Sequence, residues 1–118
     1  MPFKFSRCIL LQTPKLEELV EFYNKVFGLQ VADTSTHSIE LATGSPRLFL
    51  DREPASGIVM EFLVPDLEKA KEEVLAAGCT ILTWEGKGKP CYIRDPFGFT
   101  FNLYEEPEAF NTPLETKA

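Results

Sequence analysis

The sequence has little of what metal and redox chemistry draws on. It contains one histidine, His37, and one tryptophan, Trp84, in 118 residues. Its three cysteines, Cys8, Cys79 and Cys91, are odd in number and form no Cys-x-x-Cys pair. Neither a disulfide framework nor a paired-cysteine metal site follows from that spacing. No run approaches the ~20 apolar residues of a membrane span, and the N-terminus lacks the apolar segment of a secretion signal. Basic residues are in deficit, 12 Lys and Arg against 18 Asp and Glu, for a formal charge of −6. Such a surface repels nucleic acid and anionic membrane and suits a cationic small molecule. It also serves solubility alone. These features imply a soluble cytoplasmic protein with reduced thiols.

What is present is an ordinary globular balance, 44% apolar and 25% charged. The length suits one domain, since domains cluster near roughly 100–150 residues. Ten phenylalanines point to an aromatic-rich core or cavity.

The most informative feature is an internal repeat. Cys8-Ile-Leu-Leu-Gln-Thr-Pro-Lys-Leu-Glu aligns with Val59-Met-Glu-Phe-Leu-Val-Pro-Asp-Leu-Glu, pairing Pro14 with Pro65, Leu16 with Leu67 and Glu17 with Glu68. Each copy reads as a strand running into a helix that ends at a glycine, Gly28 or Gly78. Two copies are too few for a solenoid, so one two-module domain is expected. Module one covers about 3–53 and module two about 58–106, with Glu53-Pro54-Ala55-Ser56-Gly57 as linker. Residues 107–118 form a polar tail, mobile or wrapped on a partner.

The first helix is expected over about 14–27. Thr13 is its N-cap, Pro14 its first residue, and Leu16, Leu19, Val20, Tyr23 and Phe27 its buried stripe. The second is expected over about 66–77, capped by Asp66, with Leu67, Ala70, Val74 and Ala77 inward. Three strands follow each helix, about 29–33, 37–42 and 47–52, then about 79–84, 90–94 and 99–105, separated by Gly and Pro turns. Asp95 belongs to the Asp-Pro-Phe-Gly turn and is read as turn chemistry. A βαβββ unit covers one sheet face with its helix. Two such units would make a curved eight-stranded mixed sheet, an α+β fold with helices outside and a concave cavity inside.

Three segments carry a family resemblance. Glu21-Phe-Tyr-Asn-Lys-Val-Phe-Gly28 is similar to a helix end of the vicinal-oxygen-chelate superfamily, which includes glyoxalases, bleomycin-resistance proteins and dioxygenases. Leu63-Val-Pro-Asp-Leu-Glu-Lys-Ala70 is similar to its second helix entry. Ile93-Arg-Asp-Pro-Phe-Gly-Phe-Thr-Phe-Asn-Leu-Tyr104 is similar to its C-terminal hairpin. In order and at the expected intervals they span the chain to about residue 106.

Members of that family that do chemistry hold a divalent metal with His and Glu from the first and last strand of each module. The matching positions here are Cys8, Val59, Asn102 and either Phe49 or Asp51, the register of that last strand being open. Val and Phe cannot coordinate, and catalytic sites want about three good ligands. His37 lies away from these positions and reads as a surface or hairpin residue. No cofactor and no divalent metal are therefore expected.

Strand alternation sorts the cavity lining. Cys8 brings Leu10 and Gln12; Phe49 goes with Asp51; Glu61 goes with Val59; Asn102 brings Tyr104. Met60, Phe62, Val64, Phe99, Phe101 and Leu103 are left for the helix side. Trp84, Tyr92 and Arg94 lie on neighbouring strands near the cavity rim. Glu61 and Asp51 would complement a cation, and Trp84 and Tyr92 would stack on it. Glu61 needs a partner, such as Arg94, or exposure. Cys8 has no nearby base and reads as an inert thiol.

The resemblance implies a homodimeric, metal-free small-molecule binding protein like the bleomycin-resistance branch. Its rivals are a lyase or dioxygenase with an atypical site and an accessory domain without a ligand.

Overall fold

Alternating and helical periodicities resolve into eight strands and two α-helices in a computed structural model, which describes residues 3–110. The first module is β1 (Lys4–Thr13), α1 (Leu16–Phe27), β2 (Val31–Thr34), β3 (Ser38–Leu41) and β4 (Arg47–Arg52). The second repeats the order with β5 (Gly57–Val64), α2 (Leu67–Ala76), β6 (Thr80–Trp84), β7 (Cys91–Arg94) and β8 (Thr100–Glu105). The strands join one mixed sheet in the order β2-β3-β4-β1-β5-β8-β7-β6. This is the expected α+β fold of two βαβββ modules. A short 3-10 helix covers Pro107–Phe110, and the rest of the expected tail lies outside the described residues. No described helix is long and apolar enough to cross a membrane.

By compactness the chain divides inside β1 and β5: Arg7–Met60 forms one unit, and residues 3–6 with 61–110 the other. Arg7, where β1 passes between them, has φ 68°, a left-handed conformation unusual for a side chain-bearing residue.

In the Arg7–Met60 unit, α1 lays Leu16 on Leu41 and Leu50, with Leu19, Val20, Tyr23, Leu11, Ile39 and Leu48 around them. Phe27 departs from the expected stripe. It is 58% exposed and packs edge-on against Phe22 and Tyr23. The helix also starts later than expected. Thr13 is held in the parallel ladder opposite Arg52, and its carbonyl accepts the Glu53 N–H. A residue tied into a strand is not free to cap a helix at Pro14. Its hydroxyl instead accepts the Lys15 N–H at 3.0 Å, and α1 begins at Leu16. At the other end Gly28 takes φ 71°, and its N–H closes on Asn24. That closure, with Leu29 N–H on Tyr23, delays β2 to Val31.

In the other unit α2 packs on β6 and β8. Asp66 caps it as expected, accepting the Lys69 N–H at 3.1 Å. Leu67, Ala70 and Val74 are buried, and Ala77 ends the helix exposed. Phe62 meets Phe101 edge-on and Phe5 at a tilt. Phe99 is 64% exposed rather than packed on the helix.

Candidate functional site

The sheet face that α1 leaves uncovered in the Arg7–Met60 unit follows from the register. Leu11, Leu48, Leu50, Ile39 and Leu41 serve the core, so their neighbours point the other way. In the β1–β4 ladder those neighbours pair Cys8 with Arg47, Leu10 with Phe49 and Gln12 with Asp51. In β3–β4 they pair Glu40 with Phe49 and Ser38 with Asp51. Cys8, Leu10, Gln12, Phe49 and Asp51 thus share one face, and neither Phe49 nor Asp51 stands opposite Cys8: Arg47 does, with Phe49 opposite Leu10 and Asp51 opposite Gln12.

Three residues missed in the sequence, Arg47, Glu40 and Ser38, shape this face. Arg47 donates through Nε and Nη2 to the two carboxylate oxygens of Glu40, both at 2.8 Å. Its guanidinium lies 5.0 Å from the Phe49 ring centroid. The fork-to-fork pairing holds the Glu40 carboxyl below its usual range. Further along, the Ser38 hydroxyl donates to Asp51 Oδ1 at 2.6 Å. Burial nonetheless pushes the Asp51 carboxyl above its ordinary 3.8, outweighing that bond. Among the described residues Asp51 has no cationic partner. The Gln12 amide oxygen lies beside Gly57, 3.6 Å from where a β-carbon would stand.

The second unit is sorted the same way. Trp84 stands on the α2 side: its indole N–H donates to Glu68 Oε2 at 3.3 Å, and Lys71 lies over its ring. Trp84 pairs with Cys91, so Cys91 and Ile93 share that side and are fully buried. Tyr92, opposite Asn102, and Arg94, opposite Thr100, therefore lie on the helix-free face. Tyr104 alternates with Asn102 and joins them, 38% exposed. Arg94 is exposed as well. Trp84 is thus separated from Tyr92 and Arg94. A bulge between Ile81 and Thr83 shifts the β6 register, so counting along that strand does not give its side.

Asn102, where the sequence resemblance leads one to expect a carboxylate ligand, is buried and hydrogen-bonded at both ends of its amide. Its Oδ1 accepts the Cys91 backbone N–H at 2.8 Å, and its Nδ2 donates to Glu61 Oε2 at 3.0 Å. The partner of Glu61 is therefore this amide and not Arg94.

The donor chemistry does not fit a divalent metal. Val59 and Phe49 have no donor atom. The Asn102 carbonyl already holds a backbone N–H. In the first module the residue opposite Cys8 brings a guanidinium, which only donates hydrogen bonds and cannot ligate a metal. Among the described residues no three His, Cys, Asp or Glu side chains gather as a metal would need. His37 is exposed beside β3. Cys91 and Cys79 offer no activated nucleophile either. Cys91 donates its S–H to the Gly86 carbonyl, and burial, aided by the Asp95 charge, pushes the Cys79 thiol up.

This architecture recurs in known proteins. The glyoxalase-like domain family matches residues 8–104, and the chain belongs to that family, within the glyoxalase/bleomycin-resistance/dioxygenase superfamily. A superfamily member from Vibrio splendidus 12B01 superposes with TM-score 0.62 at 16% identity, covering 89% of this chain and 98% of that one. An extradiol ring-cleaving dioxygenase from B. fuscum gives TM-score 0.60 at 24% identity, covering 87% of this chain. The Mn(II)-bound glyoxalase from Novosphingobium aromaticivorans gives 0.57 at 16%, covering 88% of this chain and 40% of that one. The chain spans 33% of the length of the dioxygenase. No curated protein matches the chain.

Proposed function

We propose that this protein binds a small cationic ligand without a divalent metal. The observation that carries the reading is the set of residues at the positions that the resemblance assigns to a metal: Cys8, Val59, Asn102 and either Phe49, beneath the Arg47 guanidinium, or Asp51. Two carboxylates on the helix-free faces support the preference for a cation. Asp51 is held by a serine hydroxyl and Glu61 by an amide, and neither neutral partner cancels the negative charge. Arg47 is already neutralised by Glu40. The formal charge of −6 adds a long-range attraction for cations.

A thermal-shift comparison tests this. Phenethylammonium and benzamidinium should raise Tm in a dose-dependent way, while phenylacetate, similar in size and opposite in charge, should not. A ligand that binds only the native state stabilises it by mass action. Equal shifts with the anion, or none with either cation, contradict the reading.

The same reading has the chain as a homodimer in a reducing cytoplasm. None of its three cysteines is in a disulfide among the described residues. Phe22, Val26 and Phe27 on α1 are each more than half exposed, an apolar patch larger than scattered single residues would give. Sedimentation velocity at twice the 13.3 kDa chain mass is the expected result, and a monomer overturns this part.

A further inference from the structure

We infer that Glu61 is the ligand-contacting carboxylate of the second module, that Asn102 positions it, and that the pair selects cations bearing an N–H over quaternary ammonium ions. The inference rests on the cation-binding reading and names the group that would do the selecting.

The argument starts from an amide that cannot turn over. An asparagine side chain has a donor end and an acceptor end, and its neighbours decide which way it faces. Here the decision falls to the Cys91 backbone N–H, which is fixed in β7 and can only donate. It takes Asn102 Oδ1 at 2.8 Å. Nδ2 is then forced to the other side, where it meets Glu61 Oε2 at 3.0 Å. A flip would set carbonyl against carboxylate and amide against amide. The orientation of Glu61 is thus carried from the backbone of a strand through one buried side chain.

The two carboxylate oxygens are left unequal. Oε2 is occupied by Asn102. Among the described residues Oε1 has no hydrogen-bond partner. No described side-chain N or O atom is both buried and unpartnered, so Oε1 is open to solvent. A half-buried carboxylate with one oxygen tied and one open accepts a charge-assisted hydrogen bond from a definite direction. Protonated amines and amidiniums supply that donor. A trimethylammonium group supplies only charge, at a distance set by its methyl groups. Tyr92, opposite Asn102, puts aromatic surface on the same face, with Thr100 and Arg94 paired one step further along it. The position that the family resemblance assigns to metal coordination would here orient an anion for an organic cation.

The test compares phenethylammonium with its N,N,N-trimethyl analogue by calorimetric titration. The unsubstituted protein should bind the first about tenfold more tightly, the size of one charge-assisted hydrogen bond. Glu61→Gln should bring the ratio to about one. Asn102→Ala should reduce the ratio several-fold although the carboxylate remains, and the double variant should lose no more selectivity than Glu61→Gln alone. A merely structural Asn102 would weaken both probes equally and leave the ratio intact. If Asn102→Ala does not fold, the side-chain amide resonances of Asn102 replace it. They should shift with phenethylammonium along the calorimetric isotherm and stay put with phenylacetate. A ratio near one in the unsubstituted protein, a ratio that survives Glu61→Gln, or amide resonances indifferent to the cation each overturns the inference while cation binding stands. Absence of binding by both probes overturns the cation-binding reading and this inference with it.

Discussion

The Arg47 guanidinium lies over the Phe49 ring, 5.0 Å from its centroid, and Glu40 holds it there through both carboxylate oxygens. In the β1–β4 ladder Arg47 stands opposite Cys8, the first residue of the family's ligand pattern. The residue opposite that first position is therefore a cation, and it is already paired with Glu40.

That pairing has a pH signature. Glu40 has its carboxyl lowered from 4.5 by the Arg47 hydrogen bonds. A lowered carboxylate contributes stability above its unfolded pKa and loses it as pH falls through the folded one. Glu40→Gln should be less stable than the unsubstituted protein at pH 7, with the difference closing in acid. Urea denaturation at pH 7 and near pH 3 checks this, and an effect independent of pH contradicts it. The effect should be small, because the Arg47 side chain is 55% exposed.

Asp51 carries the opposite sign. Burial raises its carboxyl above 3.8, so the folded state favours the protonated form. That contribution is fully present below 3.8 and is lost as pH rises through the folded pKa. Asp51→Asn should raise Tm at pH 7, with the gain shrinking toward acid, and it should weaken binding of a cationic ligand. A lower Tm at pH 7 contradicts the burial argument.

Packing predicts a sharp contrast in the first module. Leu50 is fully buried between Leu16 and Leu41, and Leu50→Ala should cost about 3–4 kcal/mol from lost transfer energy and the cavity left behind. Phe27→Ala, at an exposed position, should cost no more than about 1 kcal/mol. Equal costs would mean that the α1 stripe includes Phe27 after all. Equilibrium denaturation measures both.

The caps separate likewise. Asp66→Ala should cost about 1 kcal/mol, since its side chain satisfies the Lys69 N–H. Gly28→Ala should cost about 1 kcal/mol through backbone strain alone, because a β-carbon there meets nothing within 4 Å. Thr13→Ala should stay within about 0.5 kcal/mol, because its hydroxyl bridges an exposed turn and caps no helix. A Thr13 effect as large as that of Asp66 contradicts the observed start of α1.

Much of this fold could be read from the residues because the two halves repeat. The Pro14 and Pro65 positions, the glycines after each helix and the turn residues each have a local cause. What escaped reading depends on partners distant in sequence. A period of two gives the face of Phe49 and Asp51 but not their position along β1, so Arg47 opposite Cys8 could not be found by counting. Trp84 escaped because the Ile81/Thr83 bulge shifts the β6 register. The sequence alone shows that Glu61 needs a partner. That the partner is Asn102 required knowing that Cys91 N–H fixes the amide. The alternation Arg47-x-Phe49-x-Asp51, charged and aromatic side chains on one face of a strand, was the available signal for the first-module cluster.

The most direct measurement is metal stoichiometry. Protein purified without chelator should carry well under one equivalent of Mn, Fe, Ni, Co or Zn by elemental analysis. Calorimetric titration with each ion should give no saturable one-to-one binding at micromolar concentration and no rise in Tm. One equivalent of a transition metal that is retained through dialysis, raises Tm and is lost on Asn102→Ala or Cys8→Ala would contradict the account.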